Sequence, residues 1–317
     1  MSNANPSSRK SADYLIVFLK GMAMGAADSV PGVSGGTIAV IARIYDELIF
    51  SIRSINLAAL RVLYKDGIAR AWDYINGSFL LALFIGIVVS LRLSAGLVLY
   101  LLENHFEPLM AFFIGLVFAS CWSLKAEFRQ RTLGIAVALL CGMAVTLLVG
   151  LMSPQTGTAS GIYLFFCGLV AICAMILPGL SGAFLLLVLG VYDYVLTAVI
   201  ELNLTIIFIF VSGCGLGLLL FSRVLAWTLS RYRDLSYAFL TGMLLASIEI
   251  LWPWQMATST FVDLDGHITV LQSSNVSPSS YMQVTGQEPQ FLAVCVTLVA
   301  GFLLIFGFDK LFRKSID

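Results

Sequence analysis

Long apolar runs recur along the chain, and their length is what most constrains the fold. Several extend for roughly 17 to 25 residues, the length that an α-helix needs to cross the hydrocarbon core of a bilayer. Hydrophobic residues make up 59% of the 317 residues and charged residues only 11%. Because a soluble domain carries about 25% charged residues to cover its surface, most of this outer surface must face lipid. The sequence predicts an all-α polytopic membrane protein.

Ten apolar segments are predicted to be helical, and two Pro-Gly steps, Pro31-Gly32 and Pro178-Gly179, interrupt them. The predicted segments are 14–30, 35–52, 78–102, 108–124, 132–152, 160–177, 181–200, 203–229, 235–252 and 290–309. Each Pro-Gly step ends one helix and precedes the next, so it makes a hinged pair. Residues 53–77 are interpreted as a long loop. Residues 253–289 are interpreted as a polar loop with a β-hairpin around Asp265-Gly266.

The second half of the chain repeats the first. Residues 21–46 align without a gap to residues 168–193, so that Pro31-Gly32-Val33-Ser34-Gly35 matches Pro178-Gly179-Leu180-Ser181-Gly182. Further on, Gly86 and Gly115 match Gly213 and Gly242 at a shorter offset. Agreement over two blocks indicates a duplication. We expect a first repeat over 12–152 and a second over 153–310, which includes an extracytoplasmic loop at 253–289, with tails at 1–11 and 311–317.

The distribution of charge predicts the orientation. Lysine and arginine cluster in the segments assigned to the cytoplasm with both termini, whereas the outer loops 102–107 and 253–289 contain neither residue. This is the positive-inside pattern. Each repeat makes three crossings if its hinged pair is re-entrant and five if the pair spans, so in either case the second repeat is inverted. We favour re-entrant hairpins, each followed by three transmembrane helices, because Arg43, Asp46 and Glu47 make 35–52 a poor lipid-facing span.

The two hinges carry the clearest chemical signal. Each places glycines and a hydroxyl side chain at the start of a helix, where free backbone N–H groups and the helix dipole favour an anion. We expect inverted symmetry to bring both hinges together near the midplane, where they suit a phosphate. The alternative is a tight turn in which serine only caps the helix. The candidate phosphate-binding residues of the hinges are Gly32, Ser34, Gly35, Gly36, Thr37, Gly179, Ser181 and Gly182.

Charged residues inside the apolar segments extend this hypothesis. Arg92 lies near the middle of the 78–102 segment, where a charge costs at least ~2.5 kcal/mol, and arginine can hold phosphate with two hydrogen bonds. We therefore predict Arg92 as a substrate ligand; a structural pair with Asp28 or Glu249 is the alternative. The acids that could carry a coupling H⁺ or Na⁺ are Asp28, Asp46, Asp193 and Glu249. For Asp46 and Asp193 a helix-end interaction is the alternative, and Arg43 is expected to pair with Asp46 or Glu47.

Metal and cofactor chemistry is not indicated by the sequence. The six cysteines lie inside apolar runs, with no CxxC motif and no histidine nearby, so we interpret them as small buried hydrophobic residues. No metal, disulfide or cofactor is predicted. The net charge of zero gives no reason to expect nucleic acid as a partner.

With these motifs in view, the sequence resembles the PopT-type family of polyprenyl-phosphate transporters, long described as a bacterial domain of unknown function. The resemblance covers roughly residues 12–310 and is carried by the run from Lys20 to Thr37 and by Leu177–Gly182 with the Tyr192-Asp193 that follows. Ala183 and Phe184 replace Gly36 and Thr37 in the second motif, so the two hinges need not contribute equally. The resemblance implies return of undecaprenyl phosphate from the outer to the inner leaflet of the bacterial cytoplasmic membrane, for reuse in cell-envelope synthesis, with the hinges as the headgroup site.

Two other functions stay open at this point. A transporter of a small soluble anion would use the same amide-rich hinges. A membrane-embedded polyprenyl diphosphate phosphatase would need a nucleophile beside a base, but His105 and His267 lie in the outer loops and neither hinge has an adjacent Glu or His. We therefore expect a flippase and not an enzyme.

Overall fold

The computed structural model describes residues 9, 11–30, 33–124, 132–152, 160–262 and 268–313. The helices are α1 (Ser11–Asp28), α2 (Gly35–Ile41), α3 (Tyr45–Ser54), α4 (Leu57–Tyr74), α5 (Gly77–Asn104), α6 (Phe106–Leu124), α7 (Leu133–Gly150), α8 (Gly161–Ile176), α9 (Gly182–Val188), α10 (Tyr192–Ile200), α11 (Leu204–Arg231), α12 (Arg233–Ile250), α13 (Pro278–Thr285) and α14 (Phe291–Arg313). The strands are β1 (Gln255–Val262) and β2 (Ile268–Asn275).

The chain divides into two compact units. The first contains Met1–Val98 and Thr156–Tyr237, and the second contains Leu99–Gln155 and Ala238–Asp317. Each unit therefore takes one segment from each half of the sequence. The first unit holds both hinges, and the second holds the two strands and α13.

Several described helices can cross a membrane. Helices α6, α7 and α11 are long and apolar enough to do so, and α4 with the first part of α5 forms a further apolar pair that is bent by 52°. Helices α8 and α14 add shorter apolar segments at Gly161–Ile176 and Phe291–Ile305. Such helices satisfy all their backbone hydrogen bonds internally, as lipid requires. The protein is thus a multi-pass helical membrane protein.

The second arm of each hinged pair is broken, which corrects the single helices predicted over 35–52 and 181–200. Helix α2 ends at Ile41 and α3 starts at Tyr45, with Arg43 between them at φ 56°. The corresponding residue of the second pair is Gly190, at φ 68°. A left-handed residue ends a helix, and only glycine adopts that conformation without strain. The break therefore recurs at the same position in both halves.

The predicted loop 53–77 is also corrected, because most of it forms α4. Asn56 caps this helix by accepting hydrogen bonds from the amides of Ala58 and Ala59. Gly67 interrupts the helix at φ 86° and ψ 175°. The loop interpretation came from the shorter repeat offset beyond this segment, which an insertion of any secondary structure would also produce.

Glycines bring helices of the first unit into backbone contact. A Cβ atom on Gly86 of α5 would lie 2.2 Å from the carbonyl oxygen of Phe18 on α1. A Cβ on Gly213 of α11 would lie 2.0 Å from the carbonyl oxygen of Phe165 on α8. Small residues allow such close approach between membrane helices. The same packing is therefore made by the two glycines that the repeat aligns.

The second unit shows the same device. A Cβ on Gly115 of α6 would lie 2.0 Å from the carbonyl oxygen of Leu298 on α14. A Cβ on Gly242 of α12 would lie 2.0 Å from the carbonyl oxygen of Leu139 on α7. Gly115 and Gly242 are also aligned by the repeat, so each half contributes one such contact to this unit.

The predicted β-hairpin is confirmed. Strands β1 and β2 pair antiparallel, with Gln255 opposite Asn275 and Val262 opposite Ile268; the predicted turn at Asp265-Gly266 lies outside the described residues. Trp254 packs in a buried cluster with Ala111, Tyr281 and Val294. The hairpin region and α13 are thus fixed to α6 and α14 by an aromatic core.

Candidate functional site

The first hinge holds a carboxylate at the start of α2. Helix α1 ends at Asp28, and its carboxylate Oδ1 accepts a hydrogen bond of 2.5 Å from the amide of Gly35. Ser34 is the N-cap and accepts a hydrogen bond of 3.2 Å from the amide of Gly36. A carboxylate and a hydroxyl oxygen are both favourable acceptors at the positive end of the helix dipole. The start of α2 therefore already binds an anion, which belongs to the chain itself.

The carboxyl end of α2 is bound by a cation from α1. Lys20 Nζ donates a hydrogen bond of 2.8 Å to the carbonyl oxygen of Ala42, the residue that caps the carboxyl end of α2. Cations are favoured where helix carbonyls lack partners. Because Asp28 and Lys20 lie two turns apart on α1, α2 runs back alongside α1.

The second hinge has the same geometry with an apolar residue in place of the acid. Met175 aligns with Asp28, and Gly182 aligns with Gly35. A Cβ on Gly182 would lie 2.2 Å from Met175 Cγ, as a Cβ on Gly35 would lie 2.4 Å from Asp28 Oδ2. The carboxylate is therefore not what makes a hinge of this shape, because the second hinge forms it with a thioether.

The two hinges contact each other directly. The amide of Gly179 donates a hydrogen bond of 3.0 Å to Thr37 Oγ1. Ser34 Oγ lies 3.3 Å from the carbonyl oxygen of Met175 and 3.4 Å from that of Leu177, to which it can donate. Ser34 and Thr37 are buried, at 2% and 4% exposure. The hydroxyls of the first hinge thus hold the backbone of the second.

These contacts account for amides that the sequence suggested were free for a ligand. The amides of Gly35, Gly36 and Gly179 have Asp28, Ser34 and Thr37 as partners. Asp28 itself is an exposed residue, although its carboxylate packs against the buried Gly35. In the second hinge, Ser181 caps α9 by accepting from the amide of Phe184 at 3.4 Å. Gly32 lies outside the described residues.

Arg92 stands apart from this network. It is exposed on α5, and no hydrogen bond or ion pair joins it to another residue in the described part of the chain. Its alternative partners are engaged elsewhere. Asp28 binds the Gly35 amide, and Glu249 Oε1 accepts a hydrogen bond of 2.9 Å from Asn275.

The other predicted acids have varied surroundings. Asp46, in the first turn of α3, accepts a hydrogen bond of 2.8 Å from Tyr237 and pairs with Arg233 at 3.0 Å. The neighbouring Glu47 pairs with Arg9 at 2.7 Å, so both acids bind partners that are distant in sequence. The Asp193 side chain is outside those described.

Sequence reasoning missed one group beside these acids. The hydroxyl of Tyr45 is buried without a hydrogen-bond partner among the described residues. The repeated Tyr-Asp pair was the available signal in the sequence, but spacing gave no indication that the Tyr45 hydroxyl would be buried.

Apolar spanning helices together with two contacting broken-helix hairpins define a multi-pass membrane protein whose polar backbone is held inside helical packing. Comparison with known proteins gives a more particular result. The sequence profile described as undecaprenyl phosphate translocase-like matches residues 24–269, and the chain belongs to this family.

Two relatives have similar sequences over most of their length. The polyprenyl-phosphate transporter of Vibrio cholerae serotype O1 is 42% identical over 305 residues, which cover 96% of this chain and 99% of that protein. The polyprenyl-phosphate transporter of Staphylococcus aureus is 32% identical over 259 residues, which cover 75% of this chain and 86% of that protein. No solved structure matches the chain.

Proposed function

We propose that this protein moves undecaprenyl phosphate from the outer to the inner leaflet of the bacterial cytoplasmic membrane, which returns the carrier lipid to cell-envelope synthesis. Family membership supports the lipid class. The observation that carries the proposal is the contact between the two hinges, where Gly179 binds Thr37. This contact brings the polar backbone of two broken helices together among apolar helices. A charged headgroup needs such polar groups in order to bind within a membrane.

The proposed architecture is a pair of inverted-topology repeats with re-entrant hairpins. The recurrence of the Gly86 packing at Gly213 supports the repeat. The antiparallel course of α1 and α2, fixed by Asp28 and Lys20 at the two ends of α2, supports a hairpin that returns to its side of entry. Because the outer loops 102–107 and 253–289 contain neither lysine nor arginine, the positive-inside rule supports the proposal that both termini lie in the cytoplasm.

The proposed headgroup site is formed by the hinge residues Gly32, Ser34, Gly35, Gly36, Thr37, Gly179, Ser181 and Gly182. Since the Gly35 amide binds Asp28, a phosphate must take the place of that carboxylate. Phosphate accepts several charge-assisted hydrogen bonds, so it competes well for an amide at a helix start. Binding is therefore an exchange of one anion for another.

This exchange suggests how transport is coupled to an ion. Once displaced, the Asp28 carboxylate lies beside a phosphate of like charge, which favours its neutralisation by H⁺ or Na⁺. Return of the carboxylate to Gly35 then releases the headgroup. Asp46, Asp193 and Glu249 remain further candidates for the coupling ion. Arg92 is proposed to bind the phosphate as it enters or leaves, because its guanidinium has no partner among the described residues and it lies in a membrane helix.

The test is translocation of a fluorescent polyprenyl phosphate by the purified protein in liposomes, followed by chemical quenching of the outer leaflet. We expect the protein to equilibrate the probe between leaflets, and Arg92→Ala to abolish this while the protein stays folded. Gly35→Val should block it, because the added atoms meet Asp28. Protein-free liposomes set the background rate of probe movement. Liposomes that hold the protein in both orientations are the control for its direction of insertion.

Two parallel assays separate the alternatives. Uptake of inorganic phosphate by the same liposomes, without movement of the lipid probe, would identify a soluble-anion transporter. Release of phosphate from undecaprenyl diphosphate would identify a phosphatase. We expect neither activity.

A further inference from the structure

Helix α4 exposes several large apolar side chains. Leu57, Leu60, Tyr64 and Ile68 are 75%, 61%, 93% and 78% exposed, and Ala71 is the buried residue of the helix. Exposed apolar patches of this kind mark an interaction surface. Something other than the described part of this chain therefore covers α4.

The charges of α4 limit what that covering can be. In the turns before Gly67, Leu57, Leu60 and Tyr64 follow the three- and four-residue spacing of one helix face, and Arg61 and Lys65 lie on the face beside it. Neither cation forms an ion pair within the described part of the chain, whereas Arg70 lies 3.9 Å from Asp66. Charged side chains at this density cannot lie in hydrocarbon, and the leucines disfavour open water. An amphipathic helix with a basic edge fits the boundary between lipid and water.

The connection to α5 places α4 at such a boundary. The two helices are bent by 52° relative to each other, and Trp72 holds the bend. Its indole Nε1 donates a hydrogen bond of 2.9 Å to Ser78 Oγ, and its ring packs so closely on Gly77 that a Cβ there would lie 2.4 Å from Cδ2. Tryptophan is favoured at membrane interfaces, so α4 departs from the membrane helix at the level of the headgroups.

We propose that α4 lies on the membrane surface and binds anionic phospholipids, with Leu57, Leu60 and Tyr64 among the acyl chains and Arg61 and Lys65 at the phosphates. A groove lined by Leu60, Arg61, Leu63, Tyr64 and Lys65 opens along this side of the helix. Charge complementarity selects the occupant, because Arg61 and Lys65, which form no ion pair with a described residue, border an apolar surface. This binding surface is separate from the proposed headgroup site at the hinges, and its test does not depend on transport.

Depth-dependent quenching tests the position of α4. Tyr64→Cys, in a chain whose six cysteines are replaced by alanine, carries a fluorophore in nanodiscs that contain anionic lipid. We expect lipids spin-labelled near the headgroup to quench it and aqueous iodide not to. Asp66→Cys, two residues along and on the opposite side, is the matched control and should show the reverse. Equal access of iodide to both labels, or shielding of Tyr64→Cys from both quenchers, would overturn the proposal in favour of water or a protein partner.

Lipid selectivity tests the cations. Native mass spectrometry of the full chain with phosphatidylglycerol and phosphatidylcholine in competition should show preferential retention of the anionic lipid. Arg61→Gln with Lys65→Gln should reduce this preference several-fold, whereas Arg223→Gln, an exposed position on α11, should not. An unchanged preference in the double variant would refute the role of α4, provided that its thermal unfolding matches that of the parent.

Discussion

The carboxylate of Asp28 binds the amide of Gly35 at 2.5 Å, so that the last residue of α1 caps the first residue of α2. The aligned pair in the second hinge is Met175 and Gly182, which pack together without a charge. One hinge is thus held by electrostatics and its counterpart by apolar contact. The second hinge therefore shows which residue can replace Asp28: methionine removes the charge and keeps the shape of the hinge.

Asp28→Met should therefore keep the hinge and change its chemistry. Since Met175 makes the equivalent contact, we expect a thermal unfolding midpoint close to that of the parent. Removal of the competing anion should strengthen binding of undecaprenyl phosphate roughly tenfold, because hydrogen bonds to charged groups contribute about 1.5–3 kcal/mol. Titration of the lipid into protein in detergent measures this, with Met175→Leu as the control. Weaker binding by Asp28→Met would show that the carboxylate assists the headgroup instead of competing with it.

A double-mutant cycle at Asp28 and Gly35 tests their contact. The Cβ of Gly35→Ala would lie 2.4 Å from Asp28 Oδ2, and a flexible side chain can move away from such a clash. We expect Gly35→Ala to lower the free energy of unfolding by about 1–3 kcal/mol as overpacking does, and to cost less when Asp28→Ala is also present. Chemical unfolding of the four proteins measures the coupling. Additive effects would show that the carboxylate does not remain at Gly35.

Two glycines of α11 offer a matched pair for the helix packing. Gly213 has the carbonyl oxygen of Phe165 2.0 Å from the position of a Cβ, whereas Gly215 has nothing within 4 Å. Because the backbone of Phe165 cannot move aside as a flexible side chain can, Gly213→Ala should lower the free energy of unfolding by about 1–3 kcal/mol. Gly215→Ala should be neutral or stabilising by up to about 1 kcal/mol, since alanine is the better helix former. Thermal unfolding in detergent compares them, and similar losses in both would refute the close packing of α8 and α11.

Apolar length and the Pro-Gly steps made most of the helices predictable. The segment predicted over 108–124 is α6, Phe106–Leu124, and that over 132–152 is α7, Leu133–Gly150. The break at Arg43 was not predictable, because an arginine in the left-handed region has no sequence signature comparable to that of Gly190. The alignment of Arg43 with a glycine was the available clue.

The candidate site was predictable in its residue types but not in its partners. The motif identified Ser34, Thr37 and Gly179, while the bonds between the two hinges depend on tertiary packing across more than a hundred residues. The same holds for Asp46, because its contacts with Tyr237 and Arg233 join residues from different halves of the chain. Local spacing identifies candidate pairs, and the fold selects among them.

The contact between Glu107 and Tyr281 makes the loop that follows α12 sensitive to alkaline pH. Glu107 is buried, at 5% exposure, and accepts a hydrogen bond of 2.6 Å from the Tyr281 hydroxyl. Burial, and then the hydrogen bond and the charge of Glu107, raise the pKa of Tyr281 above its usual value. A phenol that holds its proton more tightly in the folded state stabilises the protein below the unfolded pKa of about 10, and this contribution is lost as pH rises beyond it.

Tyr281→Phe tests this dependence. Because it leaves a buried carboxylate without its donor, it should lower stability by about 1–3 kcal/mol at neutral pH. The loss relative to the parent should shrink above pH ~10, because deprotonation of Tyr281 in the unfolded state then lowers the stability of the parent, whereas phenylalanine cannot ionise. Thermal unfolding across pH 7 to 11 measures both effects, with the exposed Tyr64→Phe as the control for general tyrosine ionisation. A difference between Tyr281→Phe and the parent that stays constant over this range would mean that the hydroxyl does not retain its proton through contact with Glu107.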